Sequence, residues 1–208
     1  MNESLKWLQR VGLAAMFCGV ASMSFAQDDA ADTQGDLLDQ KKQEMKTTLE
    51  QTGGFLDVDD FTKVKSNLDY LSQLMGQIRG ILFTAILPEA LDDWTAAEPS
   101  SQSVSQMAFG GALTATGGFS ADDDGREVTV EYITDSPMIG AFSMMTNPMV
   151  LAQSNMPTFR IGTYTFVEDN SELKGTVGGV LVTITGGTQD DRVAYANALP
   201  MEELEGFK

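Results

Sequence analysis

Five methionines, Met138, Met144, Met145, Met149 and Met156, fall within nineteen residues. Thioethers are soft ligands, and outside the cytoplasm such a cluster could select Cu(I). Met144, Met145 and Met149 are the candidate ligands, Met145 and Met149 standing one turn apart on a helix. Ile139, Phe142, Val150 and Leu151 are interleaved with them. That mixture favours a core, an interface or a ligand-covering helix over copper, because Met fills irregular apolar space. No cofactor is expected.

Carboxylates offer weaker chemistry. Asp122, Asp123 and Asp124 beside Gly125 present oxygens suited to Ca²⁺. They lack the alternating spacing and distal Glu of an EF-hand loop, and a hairpin turn accounts for them. Asp57, Asp59 and Asp60 read as negative charge at a helix N-terminus. Glu127 and Glu131 share one strand face, as a hydrolase pair would, but nothing in the sequence puts them in a cleft. There is no G-x-S-x-G and no P-loop, so no catalytic residue is assigned.

Composition narrows the choice further. The chain has 208 residues, 13 basic, 30 acidic, no His and one Cys. Lys6 and Arg10, an apolar run from Val11 to Met23, and Ser24-Phe25-Ala26 form the three-part pattern of an export signal, with cleavage expected between Ala26 and Gln27. Removal of residues 1–26 takes away Cys18 and leaves 11 basic and 29 acidic residues, a net charge of −18. A mature chain without His or Cys has no catalytic triad, no thiol nucleophile and no His/Cys metal site. Its acidity argues against nucleic acid as a partner. No later apolar stretch is long enough to span a bilayer. The expected location is periplasmic or secreted.

The elements that would position these groups follow from periodicity. Residues 27–57 are acidic, with disorder expected to Gly35 and a short helix over 36–51 ended by Gly53-Gly54. Phe61, Val64, Leu68, Leu71, Met75, Ile78 and Leu82 repeat with alternating spacings of three and four, which predicts one amphipathic helix within residues 58–87. Packing of this stripe on the protein's own sheet, as a monomer, is preferred to a homodimer seam, because Leu74, Ile81 and Ala85 widen it.

Residues 88–105 read as a linker and 106–208 as an α+β domain. Met107–Phe119 is a Gly-rich candidate strand. Arg126–Thr134 alternates Val128, Val130 and Tyr132 with Glu127, Thr129 and Glu131. Ser136-Pro137 opens a helix broken at Asn147-Pro148, and Phe159–Val167 is strand-like, with a bulge or a tight bend at Gly162. Gly178-Gly179 turns a hairpin that pairs Leu173 with Ile184 and Val177 with Val180. Thr188–Asp191 reads as a capping box opening the last long helix. The fold class is α+β: an antiparallel sheet covered on one face by helices and preceded by a long amphipathic helix.

Leu87-Pro88-Glu89-Ala90-Leu91-Asp92-Asp93-Trp94, Asp135-Ser136-Pro137-Met138 and Val180-Leu181-Val182-Thr183-Ile184 together resemble a group of exported bacterial proteins of unknown function. The order of elements is similar, more weakly, to PsbP/Mog1-like periplasmic domains. The resemblance implies an exported α+β domain and carries no catalytic residues. The expectation is an exported, non-enzymatic protein that binds another protein or a small apolar ligand, or maintains the envelope. A Met-rich copper-binding protein is the alternative, and an acidic-site hydrolase the third reading.

Overall fold

The computed structural model describes residues 26–103, 112–123, 125–154 and 156–207. The export signal expected over residues 1–26 lies outside them, apart from Ala26. The chain divides into two units, 1–35 and 36–208. In the first, the described residues 26–35 are helical rather than disordered.

Helix α1 runs Ala26–Asp57 and passes through Gly53 and Gly54, where a stop was expected. Each glycine costs a helix about 1 kcal/mol relative to Ala. Packing on the next helix, α2 (Phe61–Ala85), opposes that cost. Thr48 and Thr52 are buried, and Asn67 Nδ2 donates to Thr52 Oγ1 at 3.1 Å. Asp59, with φ of 57°, turns the chain between the helices. Asp60 caps α2 by accepting from the Lys63 backbone N–H at 3.2 Å. Hydrogen bonds from Lys63 hold the Asp60 carboxyl below its usual range.

The α2 stripe is only partly covered. Val64, Leu71, Leu74 and Ile78 are buried, whereas Leu68 and Met75, expected to be buried, are 54% and 50% exposed. The apolar surface is wider than the contacts that α1 and the sheet provide. Gly76 and Gly80 lie on another side of α2, where they let Ser103 and Ser101 approach.

Eight strands form one antiparallel sheet among the described residues. β1 (Trp94–Ala96) and β2 (Ser100–Ser103) occupy the stretch read as a linker, both pairing with β3 (Leu113–Ala121). Ser101, Gln102 and Ser103 are exposed on this edge, so no apolar alternation marks β2 in the sequence. The Met107 end of the first candidate strand lies outside the described residues. β4 (Glu127–Thr134), β5 (Thr158–Ile161), β6 (Tyr164–Asp169), β7 (Glu172–Val177) and β8 (Val180–Gly186) complete the sheet. Its order is β1-β3-β4-β8-β7-β6-β5. The stretch Phe159–Val167 is two strands rather than one, because Gly162, with φ of 56°, makes a tight turn. Leu173 pairs with Ile184 and Val177 with Val180, the register set by the Gly178 turn.

One sheet face forms the core. Val128, Val130, Tyr132, Val182, Ile184, Leu173 and Phe166 meet Phe83 of α2, Tyr195 and Ala196 of α5 (Gln189–Asn197) and Leu204 of α6 (Met201–Gly206). Two further helices among the described residues, α3 (Pro137–Met145) and α4 (Pro148–Ser154), connect β4 to β5. Full burial of a large apolar side chain contributes roughly 1.5–3 kcal/mol, so this face carries most of the fold.

Candidate functional site

The methionine-rich connection begins where β4 ends. Asp135 adopts φ of 57°, and the Ser136 side chain accepts from the Met138 backbone N–H at 3.3 Å. Pro137 then stands in the first turn, where its missing N–H costs nothing. An ion pair of 2.6 Å between Arg79 and Asp135 fastens this corner to α2. The Arg79 guanidinium also lies 5.8 Å from the centre of the Phe207 ring. Asn147 breaks the helix and caps the next one, its Oδ1 accepting from the Met149 N–H at 3.0 Å.

Met138, Met144 and Met149 are 62%, 77% and 75% exposed, and Val150 is exposed beside them. Ile139, Phe142 and Leu151 are half-buried. These thioethers therefore do not fill the core. Met145 ends α3 and Met149 lies in α4, so the expected one-turn spacing on a single helix is interrupted. The Met145 side chain falls outside the described residues. Among the described residues, no group of three or more His, Cys, Asp or Glu side chains could hold a metal ion.

The carboxylate candidates separate. Asp122 accepts from Thr95 Oγ1 at 2.8 Å, and Asp123 stands 3.8 Å from the Arg126 guanidinium, so both brace the β3–β4 turn. Asp124 lies outside the described residues. Glu127 and Glu131 share a face of β4, but four strand residues span about 13 Å, beyond glycosidase separations. Burial pushes the Glu131 carboxyl up, and the Glu172 carboxylate adds to this while Lys174 opposes it. Glu172 and Lys174 are themselves paired.

Sequence reasoning missed two features. The first is a pair of ion-paired arginines, Arg192 and Arg126. Arg192 is buried; its Nη1 donates to the Gly186 and Gly187 carbonyls at 2.8 and 3.1 Å, and its Nη2 to Glu168. Burial would raise the Glu168 carboxyl, but hydrogen bonds from Arg192 and Gln189 outweigh it and leave the group lowered. Arg126 pairs with Asp191, whose carboxylate also closes the expected capping box on Thr188. The Thr-x-x-Asp spacing was the only sequence signal of this network. It joins β6, β8 and α5 through ion pairs and hydrogen bonds to backbone carbonyls, which is a structural role.

The second is a groove of about 590 Å³ lined by Ile86, Leu87, Leu91, Ala198 and Pro200, with Glu89, Asp92 and Glu203 also lining it. It lies beside the Leu87–Trp94 motif. Trp94 packs edge-on against Tyr195, ring centres 5.4 Å apart, so this motif seals the core.

No family model, curated protein or solved structure matches the chain. The resemblance drawn from the motifs thus remains an expectation.

Proposed function

We propose that this is an exported, non-enzymatic binding protein whose α3–α4 surface takes an apolar segment of a partner protein. One observation carries the reading: Met138, Met144, Met149 and Val150 are each exposed on two short consecutive helices. Methionine is flexible and polarizable, and it suits surfaces that repack around varied apolar partners. Exposed apolar groups of this kind mark interaction sites. The −18 net charge of the mature chain keeps it in solution and leaves this patch as an uncharged landing place.

Titration with a fluorescent amphipathic helical peptide tests the proposal. Wild-type protein should bind it saturably. The combined Met138→Ser, Met144→Ser and Met149→Ser variant should lose binding by tenfold or more, about 1.4 kcal/mol or greater, while its circular dichroism stays unchanged. Equal binding by both proteins would overturn the assignment. The same titration with Cu(I) separates the copper reading, since a one-to-one complex lost in that variant would make thioether ligation the leading function.

A further inference from the structure

The two-helix hairpin of residues 36–85 carries a second apolar face, on a different element from the methionine surface. Tyr70 donates to Glu44 on one flank of the hairpin. With about 100° of turn per residue, Leu49 and Leu56 project from the opposite flank of α1. Phe61, Leu68, Met75 and Leu82 recur every seven residues along that same flank of α2, which the antiparallel pairing of the helices brings alongside. All six are between 41% and 64% exposed. The buried partners of this repeat, Val64, Leu71 and Ile78, face the protein's own chain.

We infer that this face is the contact between two copies of the chain, with the exposed column of one α2 laid along that of the other. Three observations select a second copy. The first is area. With large side chains presenting roughly 150–250 Å² each when fully exposed, the six expose on the order of 500–800 Å² per copy. Two such faces together approach the roughly 1,200–2,000 Å² buried in a stable interface.

The second is the repeat itself. A seven-residue apolar column about 31 Å long is self-complementary under two-fold symmetry, as an isologous helix contact requires. The third is charge. Residues 36–85 hold six basic and eight acidic side chains, whereas residues 86–208 hold five and eighteen. The hairpin is thus where two acidic chains approach at least electrostatic cost.

The mature chain supplies its own reporter, because it contains no cysteine once residues 1–26 are removed. Ser72 is exposed, borders the stripe and sits midway between Leu68 and Met75. Any disulfide formed by a Ser72→Cys variant must therefore join two chains. Sedimentation equilibrium of the mature protein from about 1 to about 200 µM should show twice the monomer mass at the upper end. Ser72→Cys should oxidise to a covalent dimer.

Leu68→Glu combined with Met75→Glu should sediment as a monomer with unchanged circular dichroism, because neither side chain belongs to the core. Thr47→Glu, on the other flank, should remain dimeric. A wild type that stays monomeric throughout that range would overturn the inference. So would a dimer that survives the double Glu change, or monomers whose hairpin instead binds neutral phosphatidylcholine vesicles. None of these outcomes depends on α3–α4, and the Met-to-Ser variant should dimerise normally.

Discussion

Ser101 of β2 lies so close to Gly80 of α2 that a Cβ built on Gly80 would stand 2.7 Å from the serine Oγ. One turn earlier the same construction at Gly76 meets Ser103 Oγ at 3.2 Å. Two glycines four residues apart thus let an exposed, serine-rich edge strand approach a helix. This contact locates β2 although its own side chains bury almost nothing.

The glycine contact predicts opposite outcomes for two substitutions. Gly80→Ala gains about 1 kcal/mol of helix propensity, and the serine hydroxyl can rotate away, so stability should change little. Gly80→Leu cannot be accommodated that way and should cost about 1–3 kcal/mol through overpacking. Urea denaturation of both variants checks this; equal stability of the two would show that β2 does not pack there.

Burial divides the α2 stripe into two classes. Leu71→Ala, at a buried position, should cost about 2–5 kcal/mol. Leu68→Ala, half exposed, should cost under about 1 kcal/mol when measured at dilute, monomeric concentration. Chemical denaturation at about 1 µM gives both values, and a Leu68 loss matching that of Leu71 would contradict the exposed face.

The glycine of the β7–β8 turn is fixed twice over. Gly178 has φ of 57°, and a Cβ there would meet the Glu205 backbone Cα at 2.9 Å. Backbone strain and the displacement of α6 should together make Gly178→Ala cost more than about 1 kcal/mol. Gly179 has no neighbour within 4 Å of its Cβ position, so Gly179→Ala should be the milder change. Thermal unfolding of the two variants ranks them directly.

Much of the fold was legible because single residues carried the signal. The alternation of Val128, Val130 and Tyr132 marks β4, Gly178 marks the β7–β8 hairpin, and Thr188 with Asp191 marks the start of α5. The misses have physical causes. Gly53 and Gly54 have open space at their Cβ positions, so nothing there requires glycine, and a helix that runs through them goes against the local preference a sequence reading relies on. The strands β1 and β2 take their place from pairing with β3, and β2 also from its contact with Gly76 and Gly80, rather than from any apolar pattern of their own. Composition could not tell an exposed methionine from a buried one. The alternating spacing along α2 identified an apolar helix but not which half of its stripe the chain itself would cover.

Two carboxylates should move stability with pH in opposite senses. Glu168 is held below its ordinary value in the fold, so its contribution is fully present above the unfolded value near 4.5 and is lost as the pH falls through the folded one. Glu168→Ala leaves Arg192 without its carboxylate partner and should cost about 3–5 kcal/mol at neutral pH. Glu131 has the reverse sign. Its carboxyl is raised in the fold, first by burial and then by Glu172, so ionisation penalises folding above the folded value. The penalty vanishes below the unfolded value, also near 4.5. Glu131→Gln keeps the shape and removes the charge, so it should stabilise the protein at pH 7 and leave it unchanged near pH 3. Urea denaturation across that range reads both variants. Since neutralisation there relieves a cost instead of removing a partner, a Glu131→Gln variant less stable than wild type at pH 7 would show that Lys174, rather than burial and Glu172, governs this carboxylate.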